Sequence, residues 1–429
     1  MQNGHTTPDW HLLVLSGDSP FALEQVTRGW AEFMAGNDQA NLYEVARMLQ
    51  LRRPQCAHRR FAVVRNPRDA VAVLSGRPSE RLVSGCVARR RTVAFMFPGV
   101  GDQRDGMARE LYDKVLVFRS AFEECARTVE RVLQLDIESA ILGKAGERLK
   151  SALLGHAAIF AMNYSLSQLL MACGIEPAAV IGHSLGEYAA AAIAGMIDVQ
   201  DMLRVVCERA RLMEAAPEGA MLSVALGAAD LGPLLPGSLD IAVVNSAMAS
   251  VVAGSRDDVA RFAEDLLARG IACLPLPTNR PVHSRRLCPL IRSLDEIAAG
   301  LVWRRPRIPV VSNLTGTWLS DRDAVDPTYW GRHMCSTVQF EQGIRCLLDC
   351  EDWVLLEVGP GGSLASFVKQ NAAQQPDRLP LIGALLGRTD PACSDLATVW
   401  AALGRLWISG VEVDWHRARA HLCASFEEG

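Results

Sequence analysis

The stretch Gly182-His183-Ser184-Leu185-Gly186 places a serine between two glycines in a Gly-x-Ser-x-Gly spacing. Apolar Ala178, Ala179, Val180 and Ile181 precede it, and an alanine-rich run over 188–194 follows. This pattern predicts a buried strand, a sharp turn and a helix, the arrangement of a nucleophile elbow. Such a turn projects Ser184 Oγ at a helix N-terminus, where the Leu185 amide and the helix dipole favour developing negative charge. The chemistry would be nucleophilic attack on an acyl carbon. The same spacing also suits a plain Gly-Ser turn between a core strand and a core helix, so the rest of the chain must supply a base.

Nine histidines narrow that choice. His183 adjoins the serine but points the other way along the strand, so it is expected to line the pocket. His5, His58 and His421 lie in weakly patterned segments, and His156 begins a helix that reads as structural. His283 stands in a loop from which a side chain can reach back over the elbow, although an idle surface histidine has the same signature. A second loop, Pro98-Gly99-Val100-Gly101-Asp102-Gln103, follows a strand over 92–97. It lacks the Walker lysine and the third Rossmann glycine, which argues against nucleotide phosphate. The other use of such a loop is to bring a backbone N–H to a reacting carbonyl, as the second half of an oxyanion hole.

The elements that position these groups come from a chain of 429 residues, 49% hydrophobic and 21% charged, long enough for two or three domains. A formal net charge of −4 gives no global pull towards nucleic acid or an anionic membrane. Twelve cysteines carry no Cys-x-x-Cys pair, and Cys346 and Cys350 have no nearby histidine to complete a zinc pattern. Reduced thiols and no metal site are expected. The first ten residues lack a basic start before an apolar run, and the most apolar helix, 188–197, is too short to span a bilayer. A soluble cytoplasmic protein is expected, with neither nucleic acid nor membrane as partner.

Residues 1–10 read as disordered, and 11–90 as a small α/β unit with strands over 12–16 and 60–64 and helices over 21–34, 42–51 and 67–74. The basic run Arg89-Arg90-Arg91 reads as a solvated connection. Strand, glycine loop, helices, strand, elbow and helix then predict an α/β core with a largely parallel sheet over 91–217 and 282–372. Between them, 218–281 alternates as β-α-β-β-α-β, the ferredoxin-like motif inserted into the larger unit. The remainder, 373–429, holds a polar break at 374–378, a helix over 396–408 and an extended piece over 411–415.

Several motifs in this order resemble the acyltransferase domain of modular polyketide synthases, related to malonyl-CoA:acyl-carrier-protein transacylases. They are Phe97-Pro98-Gly99-x-Gly101, Gly182-His183-Ser184-Leu185-Gly186-Glu187, Arg209-Ala210-Arg211-Leu212-Met213 and Pro217-Glu218-Gly219-Ala220-Met221, then Val282-His283-Ser284, Tyr329-Trp330 and Glu357-Val358-Gly359-Pro360-Gly361. The likeness covers about 90–370, with 11–90 similar to the linker that precedes the domain and 411–415 similar to the one after it. It implies an α/β-hydrolase-like core with a ferredoxin-like insert and a Ser184–His283 dyad working by ping-pong acyl transfer. It also implies an oxyanion hole from the Leu185 and Val100 amides, and Arg209 as a bidentate clamp on the carboxylate of a malonyl-type unit. No resident cofactor is implied: acyl-CoA is the substrate, and the partner is an acyl carrier protein bearing phosphopantetheine, with neighbouring synthase domains as further contacts.

Three positions depart from the family pattern. Val100 replaces a glutamine, which keeps the amide and loses a side-chain bond. His333 stands where an Asn or Gln carbonyl usually orients the catalytic histidine, so either its backbone carbonyl or its side chain takes that role. Arg280-Pro281-Val282-His283 matches neither His-Ala-Phe-His nor Tyr-Ala-Ser-His, the malonyl and methylmalonyl signatures. Arg280 and Val282 are therefore candidate acyl contacts with the extender unit open, Leu185 favouring malonyl. Arg285 and Arg286 offer a basic rim for an acidic carrier protein, or a solvated pair. The alternatives to transfer are an editing hydrolase of the same fold and a non-catalytic docking scaffold.

Overall fold

In the computed structural model the two strands that carry the key loops are buried along almost their whole length. The model describes residues 10–350, 353–372, 382–386 and 394–423. Residues 1–9 of the segment expected to be disordered, and the polar break at 374–378, lie outside the described residues.

The N-terminal unit runs β1 (His11–Gly17), α1 (Pro20–Gly36), α2 (Leu42–Arg52), β2 (His58–Val64), α3 (Pro67–Leu74) and β3 (Leu82–Cys86). Each helix begins on a polar cap: Ser19, Asn41 and Asn66 accept the N–H three residues on, satisfying a donor that has no partner inside the helix. The strands form an antiparallel sheet in the order β1-β2-β3. β3 is an addition to the sequence reading. Only Leu82 in it is fully buried, so it lacked the apolar run that marks β1 and β2.

β4 (Val93–Phe97) opens the large sheet and is buried at all five residues, as a strand covered on both faces must be. The long apolar helix α4 (Ala152–Ala172) leads to β5 (Pro177–Gly182), then α5 (Gly186–Ile193) and α6 (Val199–Ala215). The insert follows: β6 (Ala220–Val224), a single helical turn at Ala228–Leu231, β7 (Asp240–Ser246), β8 (Ala249–Gly254), α7 (Arg256–Ala268) and β9 (Cys273–Pro275). Its sheet order β7-β8-β6-β9, antiparallel throughout, is the ferredoxin-like order with the first helix cut to little more than a turn. The chain returns through β10 (Val310–Val311), α8 (Tyr329–Cys335), β11 (Val354–Pro360), α9 (Ser363–Ala372), β12 (Ile382–Leu386) and α10 (Asp395–Ile408).

The large sheet is fully parallel in the order β10-β5-β4-β11-β12. β5 and β4 lie side by side, so the turns at their carboxyl ends, which carry Ser184 and Gly99, emerge next to each other. In open parallel sheets that edge is where ligands bind. β12 corrects the expected boundary, because the sheet takes a fifth strand from beyond residue 372. Its short run, Ile382 to Leu386, had no flanking periodicity to announce it.

The tail holds the helix read over 396–408, and one further helix that the sequence reading did not include. Gly410, at φ +93°, ends α10 in the left-handed region, and the added helix, α11 (Trp415–Leu422), begins at the end of the extended piece. α10 packs against β2, so the end of the chain closes over its beginning. Trp407 is buried there, its Nε1–H donating to Gln55 Oε1 at 3.0 Å, with the Arg59 guanidinium 4.8 Å from its ring centre and donating to its carbonyl at 2.7 Å. Arg91, from the run read as solvated, donates to Ser409 O at 3.1 Å. We expect Trp407→Ala to cost about 3–5 kcal/mol, the usual range for emptying a buried tryptophan site. Urea unfolding measures it; a loss under about 1 kcal/mol would show that the tail is not part of the core.

Candidate active site

The Gly182–Glu187 turn forms because the adjacent strand leaves no room for anything larger. A Cβ on Gly186 would lie 1.9 Å from Phe97 O, so β4 passes directly against the start of α5. Ser184 carries the strain of the turn in its backbone: at φ +53° it occupies the left-handed region, which costs a non-glycine residue about 1–3 kcal/mol. Asn313, in the turn after β10, holds it there. Asn313 Oδ1 accepts the Ser184 N–H at 2.8 Å, and its Nδ2 donates to Gly182 O at 2.7 Å. The Asn313 N–H donates to Glu187 Oε2 at 2.9 Å, while Glu187 Oε1 accepts the Tyr329 hydroxyl. The sequence marked Asn313 only as the start of a turn after a short strand, with no sign of a role at the site.

Ser184 Oγ lies 2.6 Å from His283 Nε2. His283 is itself left-handed, at φ +57°, and only 2% exposed. Its Nδ1–H points at two carbonyls, His333 O and Ser336 O, each at 3.1 Å. The proton is thus assigned to Nδ1, and the Nε2 lone pair faces the serine, as a general base requires. Among the described residues no carboxylate completes a triad; the third member is backbone. His333 therefore acts through its carbonyl, as one of the two expected routes had it. Its side chain turns away, with Nε2 lying 3.3 Å from Glu187 Oε2 in an approach not aligned as a hydrogen bond.

The amides of Leu185 and Val100, the two expected oxyanion donors, stand on the two adjoining loops. Leu185 directly precedes α5, Val100 turns its side chain 47% into solvent, and among the described residues neither amide has an acceptor. A Cβ on Gly99 would lie 3.6 Å from Leu185 N, which puts the two loops in contact. Gln103 Oε1 braces the loop by accepting the Gly101 N–H at 2.6 Å. His183, expected to line the pocket, is held by its Nε2–H donating to Asn245 Oδ1 at 2.8 Å and by ring contacts with Phe340 and Phe367. Asn245 belongs to β7, so this bond ties the elbow to the inserted subdomain.

Arg209, on α6, is 1% exposed and lies beneath Tyr188, its guanidinium carbon 5.7 Å from that ring centre. Its charge reaches the dyad, being one of the causes that depress the pKa of His283. Arg280 is corrected. Its Nε and Nη2 donate to Met213 O and Glu214 O, both at 2.8 Å, so it caps the C-terminal end of α6 instead of facing an acyl group. Val282 is partly buried and packs against the cores on both sides of the large sheet. Arg285 and Arg286 are both exposed, but Arg285 is paired with Asp240 at 2.7 Å. Glu357 sits away from the dyad: it accepts the Ala365 N–H at the start of α9, and burial raises its pKa to about 7.

Burial first, then the neighbouring charges of His333, Arg209 and His183, hold the His283 imidazole well below its ordinary pKa of 6.5. A base depressed in this way stays unprotonated as the pH falls past 6.5 and is lost only on crossing its own lower value. The rate at which a fluorophosphonate labels Ser184 should therefore keep its plateau at pH 6.5 and fall only below it. A half-maximal point at or above 6.5 would contradict the buried-base geometry.

Residues 94–413 match the family model described as "Acyl transferase domain", and residues 11–74 match one described as "CurL-like, PKS C-terminal". The chain is 32% identical over 417 residues to a phenolphthiocerol/phthiocerol polyketide synthase of Mycobacterium tuberculosis, covering 94% of this chain and 28% of that protein. It is 33% identical over 354 residues to the spectinabilin polyketide synthase system protein NorB of Streptomyces orinoci, covering 81% and 16% respectively. It thus spans under a third of the length of these relatives. Among solved structures, the acyl transferase domain of ZmaA superposes with a TM-score of 0.89 at 29% identity, over 97% of both chains. The acyl transferase domain of SpnD, in complex with 2-(pent-4-yn-1-yl)malonyl, superposes with a TM-score of 0.88 at 33% identity, over 96% of this chain and 98% of that one.

Proposed function

We propose a function from a plain premise: this chain belongs to the acyl transferase domain family, as an acyltransferase domain of polyketide synthases. It is an acyltransferase of polyketide biosynthesis; the substrate, the partners and the course of the reaction are our inference. We infer that it loads a malonyl-type unit from acyl-CoA onto the phosphopantetheine thiol of an acyl carrier protein. The observation that carries this is Arg209, a buried cation without a carboxylate partner among the described residues, close enough to the dyad to depress the pKa of its base. The malonyl group in the SpnD complex is a carboxylated acyl group of the same kind.

In this reading Ser184 Oγ attacks the thioester carbon as its proton passes to His283 Nε2. The Leu185 and Val100 amides hold the oxyanion, while Arg209 holds the far carboxylate. Collapse of the intermediate breaks the C–S bond, and the CoA thiolate takes the proton from His283. The carrier thiol then gives its proton to His283 and attacks the acyl-serine, and Ser184 recovers the proton as it leaves. A thiol ionises at about 8.5, so the leaving group asks little of the acid and a weakly basic histidine suffices. A thioester is activated already, so no resident cofactor is required. In this reading the exposed Arg285 and Arg286 are a basic rim for an acidic carrier, neighbouring synthase domains are the expected further partners, and the setting is cytoplasmic. Among the described residues, no helix is long and apolar enough to cross a membrane.

Incubation with malonyl-CoA should add one malonyl mass to the intact protein and none to Ser184→Ala; an adduct persisting in the variant would remove Ser184 from the mechanism. Adding a carrier protein should move that mass to the carrier. Release as free acid at the same rate without the carrier would favour the hydrolase instead. Arg209→Ala should lower kcat/KM for malonyl-CoA by about 100-fold, the equivalent of two charge-assisted hydrogen bonds. Acetyl-CoA should change by less than about threefold. An unchanged ratio between the two substrates would refute the clamp.

A further inference from the structure

The contacts that hold Arg209 are all uncharged. Its Nη1–H donates to His156 Nδ1 at 3.3 Å, its Nε–H has no acceptor among the described residues, and its face lies under the Tyr188 ring. Burial pulls the guanidinium below its ordinary pKa, and Tyr188 alone opposes that shift. His156 stands in the first turns of α4, which packs along α6, and is 6% exposed. Burial first and Arg209 second hold it well below its ordinary pKa, so the ring is neutral. Because an arginine N–H faces Nδ1, that nitrogen is the acceptor, and the ring proton is assigned to Nε2.

A buried arginine can be steadied by a carboxylate or by a neutral acceptor, and the two have opposite consequences. A carboxylate takes two N–H groups of the fork and cancels the charge. An imidazole nitrogen takes a single N–H and cancels nothing. The guanidinium is then oriented, stripped of water and still fully charged, with its Nε–H unmatched. An acyl group bearing a carboxylate satisfies it; an acyl group without one leaves the charge unpaired, which is costly in a dry site. We infer that His156, read from sequence as a structural residue, is a positioning residue that sets selectivity for carboxylated acyl groups by orienting Arg209 without neutralising it. This deepens the clamp reading given above and rests on it.

The test compares kcat/KM for malonyl-CoA and acetyl-CoA in the full chain and in three variants, with thermal melts alongside. His156→Leu removes the acceptor, and should lower the malonyl-to-acetyl ratio by about tenfold or more while acetyl-CoA stays within about threefold. His156→Gln restores a neutral acceptor and should keep the ratio within about threefold of the original protein. His156→Glu keeps a hydrogen bond but neutralises the arginine, and should lower the ratio by about tenfold, chiefly through a higher KM for malonyl-CoA. If the leucine variant does not fold, the contrast between glutamine and glutamate decides by itself. A ratio unchanged in both the leucine and glutamate variants, with Arg209→Ala still abolishing the preference, overturns the role of His156 alone. An original protein with no preference for malonyl-CoA overturns the clamp and this inference together.

Discussion

Asn313 grips a serine that would not otherwise keep its shape. One amide side chain binds the N–H of Ser184 and the carbonyl of Gly182, bridging both sides of a left-handed residue. The strain it holds, about 1–3 kcal/mol, is small beside the fold as a whole but large for one turn, and a turn free to relax would carry Oγ out of line. The grip works because Asn313 is itself fixed. Its N–H reaches Glu187, in the first turn of α5, and Glu187 is held from its other side by Tyr329 on α8. α8 in turn ends at the carbonyls that orient His283. Nucleophile and base therefore come from distant parts of the chain but share one polar knot, with Glu187 at its centre.

That knot explains why the base can do without an acid partner. A carboxylate beside Nδ1 would stabilise the imidazolium and raise the pKa of His283; two carbonyls orient the ring and do much less to its charge. Burial and neighbouring positive charge then keep the imidazole free of a resting proton. Such a base is weak. Its conjugate acid is correspondingly strong, which suits a reaction in which first a CoA thiolate and then the Ser184 alkoxide must take a proton as they leave.

The sequence was most legible where chemistry imposes a local pattern. The elbow needs glycines, an apolar strand before it and a small-residue helix after it, and these all lie close together in the chain. The ferredoxin-like insert was legible as a rhythm of strands and helices, although its first helix is little more than a single turn. What stayed hidden depends on long-range pairing. β3 is an edge strand with alternating exposure, and β12 is a lone five-residue run that becomes a strand only by pairing with β11. Asn313, 129 residues from Ser184, and His156, 53 residues before Arg209, carry no spacing signal at all. Arg280 misled for the opposite reason: it lies close to the catalytic histidine in sequence, yet the chain turns and its guanidinium serves the end of α6.

Two arginines at the C-terminal half of α6 show how a buried charge can be held ready for a ligand. Arg280 ties down the helix end through carbonyls, and Arg209, one turn before Met213, is held by an imidazole and an aromatic face. Among the described residues no carboxylate is set against Arg209, although one there would offset much of the desolvation cost of a buried cation. That cost is instead left standing within the resting domain. It is tolerable because guanidinium is more weakly hydrated than an ammonium and its faces accept aromatic contact. An entering anion offsets it. Selectivity for the class of acyl group then needs no tight fit around the acyl chain. The unpaired charge chooses the class of substrate, and shape is left to choose within it.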